Sequence, residues 1–128
     1  MKIIVDTHVF LWWITDSSKL SKQAKTIISD GDNTIFLSAA SSWEIAIKNQ
    51  LGRLQLPQRP ERFIPDQLLR NGMESLPITM SHALHVATLP SIHRDPFDRM
   101  LISQAQVEHL PILTADPFFA RYRIETIW

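Results

Sequence analysis

The chain contains no cysteine. Disulfides and thiolate metal sites are thereby excluded, and a reducing cytoplasm is the expected setting. It also lacks any apolar run near the roughly 20 residues that a membrane span needs. Met1 and Lys2 lead straight into a strand-like segment, so neither a signal peptide nor a membrane association is expected. No excess of charge of either sign is present: 13 basic and 13 acidic residues give a formal net charge of zero. The strong basicity of many phosphate-binding domains is therefore missing. Acids gathered into one site would nevertheless leave the remaining surface more basic. Glycine is scarce, with three residues in the chain. Each one (Gly31, Gly52, Gly72) falls where a helical pattern stops.

What is present describes a soluble α/β protein. At 128 residues and 45% apolar content, residues 1–128 are expected to form one domain with a real core. Lys2–Val5, Thr34–Leu37, Leu76–Ile78, Pro111–Thr114 and Ile124–Ile127 read as short strands. Between them, Thr7–Ile14, Ser21–Asp30, a segment from Ser41 to Leu51, Glu61–Asn71, Ser81–Leu89 and the stretch after Asp95 read as helices. Strands alternating with helical crossovers predict a mainly parallel sheet of four to five strands covered on both faces, a three-layer α/β/α arrangement. Trp12 and Trp13 are adjacent and cannot both face one core, so one of them is offered to a subunit or partner surface. Lys22, Lys25, Arg59, Arg62 and Arg70 read as surface or partner-facing charges.

The stretch His93–Ala105 (H-R-D-P-F-D-R-M-L-I-S-Q-A) carries the chemistry. Asp95 followed by Pro96 is a helix start, with a capping carboxylate and a proline at the first helical position. Asp98 then lies one turn ahead of Leu101, Ile102 and Ala105, on the stripe that should be buried. Three other acids occupy comparable places. Asp6 follows the first strand, Glu44 opens a helix, and Asp116 follows the fourth strand. Three of the four have a structural alternative: Asp6 as a cap, Glu44 as the partner of Ser41 in a capping box, Asp98 as a complement to the helix dipole. In a parallel sheet, however, the C-terminal strand ends gather along one edge, where ligands bind. Four acids there would repel unless protonated or neutralised by cations. Oxygen ligands without cysteine favour Mg²⁺ or Mn²⁺, and carboxylate-held ions of that kind suit in-line displacement at phosphorus.

The segments I-I-V-D-T-H-V-F-L-W-W, S-A-A-S-S-W-E-I-A-I-K, L-P-S-I-H-R-D-P-F-D-R-M-L-I-S-Q-A and I-L-T-A-D-P-F-F, in this order, resemble the PIN-domain ribonucleases, specifically the VapC toxins of bacterial toxin–antitoxin pairs. The resemblance covers nearly the whole chain. It implies a PIN-like fold and Mg²⁺- or Mn²⁺-dependent RNA hydrolysis. A homodimer and a cognate inhibitory antitoxin are implied as well. By the same resemblance Asp6, Glu44, Asp98 and Asp116 are the metal-binding, catalytic acids, and Asp95 is a cap or supporting group. Thr7 is retained, and its hydroxyl is expected to orient Asp6. His8 departs from the asparagine that many members carry there.

Lys48, Arg94 and Arg99 lie near the proposed acids in sequence and are the candidate substrate contacts, Arg99 being expected to point off the core face. His82 and His85, one turn apart, together with His93 suggest a zinc site as a competing reading, without a fourth ligand. His93 and Arg94 are otherwise expected to hold their loop or meet RNA phosphate. An aspartyl-phosphate mechanism of the haloacid-dehalogenase type would want an Asp where His8 stands. A response receiver would want an acidic pair before the first helix and a late lysine, and both are missing. A non-catalytic module, metal-stabilised and binding RNA or an antitoxin, is the remaining alternative.

Overall fold

Apolar, β-branched residues place β1 (Lys2–Val5) at the centre of the sheet. In the computed structural model, which describes all 128 residues, β2 (Thr34–Ser38) and β4 (Ile112–Leu113) flank β1. β3 (Glu74–Leu76) and β5 (Thr126–Ile127) lie outside them. Every pairing is parallel, which forces the chain to cross back between strands. Helices α1 (Thr7–Ile14), α2 (Lys22–Ser29), α3 (Ala39–Gln50), α4 (Pro60–Asn71), α5 (Met80–His85) and α6 (Pro96–Glu108) make most of these crossings. A 3₁₀ turn at Pro117–Arg121 makes the last one.

Period-two alternation splits the core into two layers. Ile3, Val5, Ile35, Leu37 and Leu113 face Val9, Phe10, Ala24, Ile28, Phe63 and Ile64 on one side. Ile4 and Ile112 face Leu101, Ile102, Ala105 and Phe119 on the other. This is the three-layer α/β/α arrangement, with five strands and helices on both faces. No helix is long and apolar enough to cross a membrane.

Several local expectations shift. Ser38, not Ser41, caps α3, accepting the Ala40 N–H at 3.0 Å. Glu44 therefore lies in the second turn, and no capping box with Ser41 forms. β3 is Glu74–Leu76 rather than Leu76–Ile78, because Pro77 has no N–H to continue the ladder. Neither Trp12 nor Trp13 is given up to the surface. Both pack half-buried against the first core layer, Trp13 donating its indole N–H to Asn71 Oδ1 at 2.9 Å and Trp12 meeting Trp128 edge-on. The exposed tryptophan is Trp43, 61% accessible.

The strand order positions the site. After β1 the chain adds β2 and β3 on one side, then returns to add β4 and β5 on the other. The direction of winding reverses between β1 and β4, so their C-terminal ends diverge into helices and turns around a crevice.

Candidate metal centre

Asp6 leaves the end of β1 and occupies the N-cap position of α1, yet its side chain makes no capping hydrogen bond. Oδ2 instead accepts a 2.7 Å bond from Thr114 Oγ1 at the end of β4. Thr114 in turn accepts the Asp116 backbone N–H at 3.0 Å. Asp6 is 5% exposed, and its Oδ1 is the one buried side-chain polar atom in the protein with no hydrogen-bond partner. His8 Nδ1 lies 4.0 Å from it, beyond hydrogen-bond distance. A buried orphan acceptor costs about 1–3 kcal/mol, so a cation-sized partner is the natural complement.

α6 delivers the second acid. Asp95 accepts the Phe97 N–H at 2.8 Å, with Pro96 opening the helix. That satisfies the helix end and leaves Asp98, three residues on, facing the cleft. Asp116 caps the 3₁₀ turn through Oδ1, which accepts the Phe118 N–H at 2.9 Å, while Oδ2 lies 3.0 Å from His93 Nε2. Ligand atoms of His93, Asp98 and Asp116 all fall within 4.8 Å of one another. Asp6, Asp98 and Asp116 open onto a cleft of about 320 Å³, shared with His8, Trp12 and Ala115. Glu44 reaches the same region from α3, 3% exposed and ion-paired to Lys48 at 2.6 Å. The larger groove, about 730 Å³ between α3 and α4, lies away from the acids.

Burial raises the proton affinity of two of the acids. Burial pushes Asp98 up to about 7, and the neighbouring charges of Asp95, Asp6, Glu44 and Asp116 push it the same way. Burial also raises Asp6, against the opposing hydrogen bond from Thr114. Glu44 enters this electrostatic set although it does not line the cleft.

A family model for the PIN domain matches residues 3–125. The chain belongs to the PIN-domain family. Ribonuclease VapC22 of Mycobacterium tuberculosis (strain ATCC 25618 / H37Rv) is 31% identical over 108 residues, 84% of this chain and 80% of that protein. Ribonuclease VapC16 of the same organism is 40% identical over 63 residues, a match that spans 49% of this chain and only 45% of that protein. Among solved structures, VapBC2 from Rickettsia felis, bound to a DNA fragment from their promoter, superposes with a TM-score of 0.71 at 14% identity, covering 99% of this chain and 98% of that one. FitAcB from Neisseria gonorrhoeae gives 0.64 at 17% identity over 98% and 96%. At these identities the superpositions show the PIN fold itself.

Within this PIN fold the other candidate residues separate. Thr7 donates to Ser41 Oγ at 2.7 Å, tying α1 to α3. It does not reach Asp6, because the cross-strand Thr114 holds that carboxylate. Lys48 is engaged by Glu44, while Arg94 is exposed beside the site. Arg99 is tied to the loop that precedes α6. Its guanidinium donates to the carbonyls of Pro90 (2.9 Å), Val86 (3.2 Å), His93 (3.4 Å) and Leu89 (3.4 Å). His82 and His85 do not converge with His93. They bond Glu108 and Gln106 of α6, each at 2.7 Å. Thr114 was missed by sequence reasoning, although a hydroxyl two residues before a strand-end acid is the available signal.

The residues present fit a divalent cation. An orphaned Asp6 oxygen, an Asp98 whose proton affinity is raised by burial and neighbouring acids, and carboxylate donors are what a hard ion would resolve.

Proposed function

We propose that this protein is a toxin of the VapC type, an endoribonuclease that hydrolyses RNA phosphodiester bonds with Mg²⁺ or Mn²⁺ and is inhibited by a cognate antitoxin. One observation carries the reading: Asp6, Asp98 and Asp116 line one cleft at the β1/β4 switch, with Asp6 Oδ1 buried and unpaired. Asp6, Asp98 and Asp116 are the residues that would hold the ion, with Glu44 contributing charge from α3. Bound there, such a cation supplies positive charge to phosphate oxygens and makes a bound water more acidic. The chain itself supplies orientation. Thr114 fixes Asp6, the helix cap at Asp95 aims Asp98, and the Phe118 N–H fixes Asp116. Lys48 sits beside the cleft against Glu44, and Arg94 is free to meet a phosphate.

The curated relatives named as ribonucleases support the substrate class, and the structural likeness to a toxin-antitoxin complex from Klebsiella pneumoniae supports an antitoxin partner. Residues 1–128 act as one unit in this reading, in the cytoplasm of a reducing cell. A homodimer forms through the face where Trp43, Met80 and Leu84 stand exposed, next to the apolar cleft of Ala40, Ile78, Phe97 and Met100. Sedimentation should then show a dimer that Leu84→Glu converts to monomer; an unchanged dimer would move the interface elsewhere.

The deciding experiment incubates total RNA with the wild type and Asp98→Asn in Mg²⁺, Mn²⁺ or EDTA. Cleavage is expected in either metal, abolished by EDTA and reduced at least about 100-fold in the variant. Equal cleavage by both proteins would remove Asp98 from the site. Antitoxin or RNA binding without any turnover would favour the non-catalytic module.

A further inference from the structure

His93 is not one of the four acids, yet its backbone N–H and both ring nitrogens are all engaged. Its backbone N–H donates to Tyr122 Oη at 2.9 Å, and its Nδ1 lies 2.9 Å from the same oxygen. Its Nε2 lies 3.0 Å from Asp116 Oδ2. The ring stacks on Tyr122 at 27° between planes and meets Phe119 edge-on, with centroids 5.0 Å apart. Behind it, Arg99 grips the carbonyls of Val86, Leu89, Pro90 and His93 itself. Few degrees of freedom remain to this ring.

Hydrogen-bond bookkeeping then fixes which nitrogen carries the proton. Tyr122 is 4% exposed, and its hydroxyl makes no bond except to His93. The oxygen already accepts the His93 backbone N–H, so the phenolic proton has one acceptor within reach, Nδ1. An imidazole accepting at Nδ1 carries its hydrogen at Nε2, which points at Asp116 Oδ2. With the opposite tautomer, Tyr122 would receive two donors and leave its own buried O–H unpaired, a cost of about the desolvation of one hydroxyl. Although His93 stands close enough to Asp98 and Asp116 to be counted among possible ligands, a ring nitrogen bearing hydrogen cannot ligate an ion. Each Asp116 oxygen takes one hydrogen bond, from Phe118 N–H or from His93, and keeps a lone pair for the cleft.

We propose that His93 is a positioning residue: held by Tyr122 as the Nε2–H tautomer, it orients the Asp116 carboxylate toward the ion and does not itself bind the ion. This rests on the reading of Asp116 as a cation ligand, and it adds the Arg99–loop–His93–Tyr122 assembly as that ligand's support.

Three measurements test it on the full chain. In metal-free wild type at pH 7.5, two-bond ¹H–¹⁵N spectra should show His93 with a protonated Nε2 and an accepting Nδ1. A protonated Nδ1 overturns the proposal without any variant having to fold. Calorimetric titration with Mn²⁺ then compares the wild type, His93→Gln and His93→Leu. Glutamine places an N–H where Nε2 stood, so its affinity should stay within about threefold, whereas leucine should lose about 10–100-fold. A directly bound ¹⁴N signal in the Mn²⁺ electron spin echo that vanishes in His93→Gln would make His93 a ligand and overturn the proposal. Equal affinity of wild type and His93→Leu would overturn it alone. A wild type that binds no Mn²⁺ would overturn the cation reading and this inference together.

Discussion

Thr114 donates to Asp6 Oδ2 at 2.7 Å and accepts from the Asp116 N–H at 3.0 Å, so one buried hydroxyl touches two of the acids. Thr114→Val keeps the shape and removes both bonds. Asp6 Oδ2 would then lose its Thr114 partner while Oδ1 already lacks one, and the side-chain hydrogen bond that opposes its raised proton affinity would be gone. The variant is expected to lose about 1–3 kcal/mol of stability by thermal or denaturant melting. Its Mn²⁺ affinity should fall by about 10–100-fold, with Thr114→Ser restoring most of it. Undiminished affinity in the valine variant would show that Thr114 only packs. This residue also marks the limit of what could be read from the sequence. Asp6, Asp98 and Asp116 could be placed there because each sits at an identifiable strand end or helix start. Thr114 acts across 108 residues of separation, through a strand pairing that no local pattern records. Thr7 misled for the same reason, being next to Asp6 in the chain but aimed at α3.

Among the elements, α6 shows how a local rule frees a functional side chain. Asp95 and Pro96 satisfy the helix start, so Asp98 is not needed there. That division was legible from D-P-F-D, whereas the far end of the same helix was not. α6 terminates at His109, which adopts φ 55° and ψ 48°, the left-handed region that favours glycine. The exposed His109 side chain makes no hydrogen bond that would compensate. His109→Gly should therefore stabilise the protein by about 0.5–1 kcal/mol, seen as a melting temperature higher by about 2–4 °C. A lower melting temperature would mean that the histidine contributes packing along the turn into β4. Elsewhere, element type was readable from apolar periodicity, and boundaries slipped where a proline or a serine cap overrode it. Pro77 ended β3 early, and Ser38 began α3 before the expected Ser41. For Arg99, helical periodicity says nothing about a loop folding back over the helix. The carbonyls of Val86, Leu89, Pro90 and His93 supply partners that the periodicity does not record.

For the whole molecule, the crowded acids couple stability to both pH and metal. Asp98 has an ordinary value of 3.8 and is raised to about 7 in the folded protein. Between those values the unfolded chain has lost a proton that the folded chain still holds. Unfolding then releases a proton, and the stability contributed by this group is complete below about pH 4 and declines as pH rises toward 7. Above 7 both states are ionised and the decline from Asp98 ends. Asp6, raised in the same direction by burial, adds to the slope. Because Asp98 is only half-buried, solvent screening reduces the effect to an order of 1–2 kcal/mol. In EDTA, wild-type stability should therefore fall from pH 5 to pH 7.5 relative to Asp98→Asn, which lacks the titrating group. At pH 7.5 without metal the variant should equal or exceed the wild type. Millimolar Mg²⁺ should reverse that order, since an ion binding the ionised folded state stabilises it by mass action and the variant has lost a ligand. Melting curves of both proteins over this pH range, with EDTA and with Mg²⁺, measure all of these differences together. Parallel pH profiles would remove Asp98 from the coupled set, and an Mg²⁺-independent wild type would leave the buried oxygen of Asp6 needing a different partner.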